Sequence, residues 1–316
     1  MGEHEDPQGV PAPTGPVLRE RDTSVATGCN AGRCSLAWDF KIVDVFTDRP
    51  LAGNQLAVVL DAEGLDTATM QAVAREFNFS ETTFVTPSHE QGCDWRVRIF
   101  TPLYELPMAG HPTVGTAVVL RQEGRIDSQV VFELGVGPTP VAFDSEGQAW
   151  MTQPEATFGP EVEDRQLLAS ALSLSPQDLR DDLPAQVVSC GNEFLFVPIA
   201  SLEALGRMRA DMAVWELATS CMRRGGVFGF FETSRGQVRA RMFAPTMGVP
   251  EDPATGSAAG PLGAYFARHL GVTSLLVEQG VEMGRPSTLH VDATAARPRV
   301  GGSAVTVASG RLQLPG

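Results

Sequence analysis

Four side chains in this sequence stand where acid–base chemistry is possible. Glu81 lies in Asn78-Phe79-Ser80-Glu81-Thr82-Thr83-Phe84-Val85, between an apolar helix end and an apolar strand. Burial there would raise its carboxyl toward neutral pH, where it can take and return a proton. For an isolated Glu the plainer alternative is a helix-terminal carboxylate with local hydrogen bonds. His111 follows Gly110 at a helix start, where the dipole favours a neutral imidazole able to hydrogen-bond a substrate. A structural histidine in the turn is the competing reading. Asp252 and Ser257 flank the Gly256 turn, either as helix caps or as a pair facing an anion.

Two segments must position these groups. Met247-Gly248-Val249-Pro250-Glu251-Asp252-Pro253-Ala254-Thr255-Gly256-Ser257-Ala258-Ala259-Gly260 puts a carboxylate, a glycine turn and a hydroxyl before the apolar run 261–267. Leu106-Pro107-Met108-Ala109-Gly110-His111-Pro112-Thr113-Val114-Gly115-Thr116-Ala117 repeats the design in the first half. The first N–H groups of a helix have no intrahelical partner, and the dipole adds positive charge there. A small-residue turn lets an anion approach them closely. One small carboxylic-acid substrate held between two half-sites is therefore expected. Gly110, Pro112 and Thr113 are the expected binding residues on one side, Thr255 and Gly256 on the other.

The surrounding pattern supplies strands and helices in alternation. Strands are predicted at 40–46, 55–60, 82–85, 95–100, 130–134 and 149–153, with a helix over 67–77 capped by Asp66 and another after His111. The second half reads as a helix at 165–172, strands at 186–189 and 194–199, and a helix over 210–221. Strands at 227–233 and 238–243 follow, then the helix after Ser257 and strands at 275–279, 288–292 and 304–314. The helices after His111 and Ser257 are apolar on nearly all sides, as expected of helices wrapped by sheet. Two similar domains follow, residues 39–155 and 156–302, each a mixed sheet around a central helix, with the strand at 303–315 returning to the first. Residues 1–38, rich in Pro, Gly and charge, read as a disordered extension.

Composition narrows the function. A net charge of −14 disfavours nucleic acid, which needs clustered Lys and Arg. Lys41 is the only lysine, so Schiff-base chemistry would rest on one residue near the first strand. Five cysteines without a CxxC pair, and no secretion signal, point to a reducing cytoplasm. The five histidines lack metal-ligand spacing, and no run is long enough to span a membrane.

The motifs Asp44-Val45-Phe46-Thr47 with Gly53-Asn54, Ser80-Glu81-Thr82-Thr83-Phe84, the 105–111 and 252–260 segments, and Glu282-Met283-Gly284-Arg285-Pro286-Ser287 resemble the PhzF-like family of phenazine biosynthesis. The resemblance spans about residues 39–315; Gln55 departs from the proline many members carry. It implies the diaminopimelate-epimerase-like fold, α+β with the site between two similar domains, and a homodimer. It further implies a cofactor-independent isomerase of secondary metabolism, antibiotic formation included. Glu81 would be the single acid/base, assisted by His111, Asp252 and Ser257. The enzyme that names the family moves a proton between ring carbons of a dihydro-hydroxyanthranilate. Racemases of the superfamily use two cysteines, one at each central helix start; Ala109 and Thr255 stand there. A racemase or epimerase, a Ser257–His111–Asp252 hydrolase lacking a GxSxG elbow, and a non-catalytic binding protein of the same fold are the alternatives.

Overall fold

The computed structural model of the chain describes residues 35–223 and 225–315. The expected extension, with Cys29 and Cys34, lies up to residue 34 outside the described residues, and its last positions, 35–38, belong instead to the first strand. Within the compact unit Ala37–Leu312 the chain builds the same strand pattern twice.

In the first half β1 (Ser35–Val45) pairs antiparallel with β2 (Asn54–Val59). Helix α1 (Thr67–Phe77) then crosses to β3 (Glu81–Pro87), parallel to β2. β4 (Trp95–Phe100) returns antiparallel, with the short β5 (Glu105–Leu106) beside it. Helix α2 (Gly110–Gln122) crosses to β6 (Gln129–Leu134), parallel to β4. β7 (Gly137–Phe143) and β8 (Ala149–Thr152) complete an antiparallel meander.

The second half opens with β9 (Thr157–Glu161) and α3 (Arg165–Ala171). β10 (Gln186–Ser189) then pairs antiparallel with both β9 and β11 (Glu193–Pro198). Helices α4 (Leu202–Arg207) and α5 (Trp215–Ala218) lead to β12 (Gly225–Ser234), parallel to β11. β13 (Gln237–Ala244) and β14 (Val249–Asp252) follow antiparallel. Helix α6 (Gly256–Leu270) crosses to β15 (Ser274–Gln279), parallel to β13. β16 (Ser287–Asp292) and β17 (Arg299–Gly302) repeat the meander, and β18 (Ala304–Pro315) returns beside β1.

The fold is therefore α+β, two similar halves each wrapping mixed sheet around one central helix. Their last meander strands pair antiparallel, with Val300 opposite Met151, so a single hydrogen-bonded path runs through both. The core follows the same logic. Every residue of α2 from Gly110 to Leu120 is buried, and Gly115 leaves room for Val45 and Leu56 of the sheet. Around α6 the rings of Phe196, Phe228, Phe230, Tyr265 and Phe266 pack together in the same cluster. Burial of such apolar surface is the main force closing the sheets around the helices.

The sequence expectation lacks the strands β5, β9, β14 and β17, and three further differences have local reasons. β7 is missing from the expected strands, and Pro138 and Pro140 interrupt its pattern. β8 reaches only as far as Val141, so both prolines sit on a stretch with β6 alone as neighbour, where a missing N–H costs little. The helix expected over 210–221 shrinks to Trp215–Ala218. The better-capped turn is α4, where the Ser201 hydroxyl accepts the Ala204 N–H and Ala204, Leu205 and Met208 are buried.

The halves are locked by a few long-range polar contacts. Arg285 donates to Asp44 Oδ1 at 2.5 Å, to the Ala52 carbonyl at 2.6 Å and to the Gly53 carbonyl at 2.8 Å. Asp44 is buried, so this charge-assisted cluster satisfies an anion that water does not reach. Gln153, beyond β8, donates to the Gly256 carbonyl in the first turn of α6.

Candidate active site

The repeat brings the starts of α2 and α6 together. Gly110 and Gly256 are the first residues of these helices and face each other so closely that a Cβ on Gly110 would collide with the Gly256–Ser257 main chain. Neither helix has a side-chain cap: Ala109 and Thr255 occupy the N-cap positions without bonding a first-turn N–H, and neither first turn contains an acidic residue. Two sets of unpartnered N–H groups and two positive dipole ends thus converge on one spot, an arrangement suited to a carboxylate.

A cavity of about 460 Å³ opens at this junction and draws its walls from both halves. Glu81, Gly110 and His111 line it from the first half, Asp252, Thr255, Gly256 and Ser257 from the second. Pro112 and Thr113 do not reach it. Pro112 is buried within α2, and the Thr113 hydroxyl turns back to the Ala109 carbonyl at 2.7 Å. Much of the remaining wall is soft and apolar, including Leu106, Met108, Phe194, Met242 and Met247, while Arg223 supplies a cation.

Glu81 is the first residue of β3, set opposite Leu56 by the parallel register. It is aimed there by the left-handed turn at Asn78 that ends α1. Its Oε2 stands 3.3 Å from His111 Nε2, but the two are poorly aligned, and neither atom finds another partner. Burial, helped by the negative charge of Asp252, pushes the Glu81 carboxyl up to about 8. Burial pushes His111 down to about 3, against a hydrogen bond to the Gln55 main chain, so the imidazole is neutral. Burial also raises Asp252 to about 6, opposed by hydrogen bonds from Thr255 and Asn54.

Asn54, which begins β2, fixes the protonation pattern. Its Nδ2 donates to Asp252 Oδ1 at 2.8 Å and to the Ala254 carbonyl at 2.9 Å. Both amide hydrogens are then used, so its 3.3 Å approach to His111 Nδ1 brings no donor. Nδ1 therefore carries the ring proton, facing the Gln55 main chain, and Nε2 is left without a proton 3.3 Å from Glu81 Oε2, out of line for a hydrogen bond. Asn54 stood in a recognisable motif, yet its partners lie 198 and 200 positions away and no sequence signal connects them.

No hydrogen bond among the described residues joins Ser257 to His111 or Asp252. The imidazole faces Asn54, Gln55 and Glu81, and Asp252 bonds Asn54 and Thr255. The Ser–His–Asp relay of a hydrolase is not assembled. Among the described residues no helix is long and apolar enough to cross a membrane.

Known proteins resemble this chain along most of its length. The family model of phenazine biosynthesis-like proteins matches residues 43–310. An uncharacterized isomerase of Mesorhizobium japonicum is 38% identical, over 87% of this chain and 98% of its own. The trans-2,3-dihydro-3-hydroxyanthranilate isomerase of Pseudomonas aeruginosa is 37% identical, over 87% of this chain and 99% of its own. Among solved structures, a PhzF-family phenazine biosynthesis protein of Bacillus anthracis superposes with a TM-score of 0.80 at 29% identity, over 88% of this chain and 100% of the other.

Proposed function

Because this chain belongs to the phenazine biosynthesis-like family and is an isomerase of PhzF type, we propose that its cleft moves a proton between two carbons of a small unsaturated cyclic carboxylic acid. The substrate carboxylate docks on the joined N-termini of α2 and α6. Glu81 is the single acid and base: starting protonated, its carboxyl gives its proton to one carbon and then takes one from another, ending each turnover as it began. The double bond shifts as the proton moves, and atoms and charge balance within substrate and Glu81. The neutral His111 ring lies beside the Glu81 carboxyl, and Asp252 supplies the negative field that keeps it protonated near neutrality.

The observation that carries this reading is the Glu81 carboxyl itself. It is buried at the cavity wall, beside a neutral imidazole, with an oxygen that has no well-aligned partner in the protein. A group poised near neutral pH suits proton transfer in both directions. Ala109 and Thr255 at the two N-cap positions provide no thiol pair, which favours one-base transfer over racemisation. The acid named for the Pseudomonas aeruginosa relative, trans-2,3-dihydro-3-hydroxyanthranilate, is the first candidate substrate.

The test is turnover of that acid, and of other cyclic diene acids, in D₂O. Deuterium is expected at an allylic carbon of the product. Glu81→Gln should abolish isomerisation while the protein stays folded and still binds the acid; normal turnover by that variant would overturn the mechanism.

A further inference from the structure

Gln279 is the last residue of β15; it is fully buried and does not line the cavity. Its amide orientation is fixed by two main-chain groups of fixed polarity. Oε1 accepts the Thr255 N–H at 3.1 Å, and Nε2 donates to the Asp252 carbonyl at 2.8 Å. The second Nε2 hydrogen then points at Thr255 Oγ1, 2.9 Å away. That hydroxyl is an acceptor toward Gln279, so its own hydrogen must go to Asp252 Oδ2, 2.5 Å away. On the other side Asn54, its amide oriented by the Ala254 carbonyl, donates to Asp252 Oδ1. Each carboxylate oxygen of Asp252 thus receives a hydrogen bond from a donor that cannot reverse.

We propose that Gln279 is a positioning residue that, through the hydroxyl of Thr255, holds Asp252 as an acceptor-only anion and so leaves the exchangeable proton of the site on Glu81. Three groups share the space. Two are acids, Glu81 from β3 and Asp252 from β14; the third, His111, comes from α2. Asp252 has no protein group left to which it could donate, and the His111 ring proton is committed to the Gln55 main chain. Glu81 alone can hold a proton and face both an unfilled acceptor and the cavity. The neighbouring Glu251, whose charge also raises Asp252, is paired with Arg241, whose guanidinium meets both its oxygens at 2.7 and 2.8 Å. Gln279 itself carries no charge, and its β16 partner Ser287 spends its hydroxyl on the Pro253 carbonyl. The inference rests on the reading of Glu81 as acid and base, but it concerns where the proton lies before substrate arrives.

The test is a carbon-13 carboxyl NMR titration of the full chain without substrate, with Glu81→Gln and Asp252→Asn identifying the two signals. In the wild type Asp252 should titrate below Glu81. Gln279→Met, matched in size but unable to donate, should raise the Asp252 midpoint by about one pH unit and lower that of Glu81, because a hydrogen bond to the charged form is lost. Thr255→Val should produce the same shifts independently, and the double variant should add nothing to either, since one residue acts through the other. A purely structural Gln279 would lower thermal stability without moving the midpoints. The proposal is overturned if Glu81 titrates below Asp252 in the wild type, or if Thr255→Val moves Asp252 and a folded Gln279→Met does not. Should Gln279→Met fail to fold, unmoved midpoints in Thr255→Val would overturn it equally. These outcomes are independent of isomerase activity in Glu81→Gln, which tests the catalytic reading instead.

Discussion

Gly110→Ala probes the contact on which the anion site depends. A Cβ at Gly110 would stand 2.5 Å from the Gly256 carbonyl carbon and 2.7 Å from its Cα, against about 3.4 Å where ordinary contact begins. The obstacles are main-chain atoms of the facing helix, so no rotamer relieves them, and the two helix starts must separate by roughly 1 Å. Overpacking of this kind costs about 1–3 kcal/mol, and the better helix propensity of Ala returns at most about 1 kcal/mol. A net loss of about 2 kcal/mol corresponds to a melting temperature lower by about 4 °C in a chain of this size. The functional loss should be larger, about 100-fold in kcat/KM, because a 1 Å error in positioning the carboxylate misaligns the reacting carbon with Glu81. Turnover of trans-2,3-dihydro-3-hydroxyanthranilate, calorimetric binding of the same acid and thermal unfolding together read the three effects. Gly206→Ala in α4, where an added Cβ meets nothing within 4 Å, is the control and should retain full activity. Wild-type stability and turnover in Gly110→Ala would refute the abutting-helix account of the site.

Other perturbations follow from the same geometry. Glu81 holds its proton up to about 8 in the folded protein against an ordinary 4.5, so the unfolded chain releases the proton first as pH rises. Its contribution to stability is therefore lost from about pH 4.5 through 8, by up to about 1.4 kcal/mol per pH unit. Glu81→Gln should flatten that dependence, and urea unfolding on either side of the window measures it. His111 acts with the opposite sign: its folded value of about 3 lies below the ordinary 6.5, so stability falls on acidification through that range, and His111→Asn should remove this loss. Arg285→Met strands the buried Asp44 carboxylate and two carbonyls, with an expected cost of about 3 kcal/mol in denaturant unfolding. Ser257→Ala should lower kcat/KM by about tenfold, the worth of one hydrogen bond, with no covalent intermediate detectable by mass spectrometry. Complete inactivation together with a trapped acyl group in the wild type would favour the hydrolase reading.

The sequence by itself determined the elements with a clear period or cap, and it singled out Glu81 as a candidate acid–base group. Helix α1 runs from Thr67 to Phe77 as its Asp66 cap and apolar face predict, and β4 and β10 fall at their expected bounds. The repeat of a glycine turn before a largely apolar helix was equally legible, because a helix buried on nearly every side leaves little polar face in its residues. β7 was illegible since its prolines are tolerated only where β8 happens to end. What the tertiary structure alone decided is which polar groups meet. Asn54 and Asp252, Thr255 and Gln279, and Arg285 and Asp44 are separated by 198, 24 and 241 positions, and each pair lies on different strands, turns or helices. No local pattern encodes such contacts, because strand pairing within and between the repeats, not sequence neighbourhood, brings them within hydrogen-bond reach. Local sequence named Glu81 as a group that burial could make an acid and base; only packing of the second half against the first creates that burial and places the negative field of Asp252 beside it.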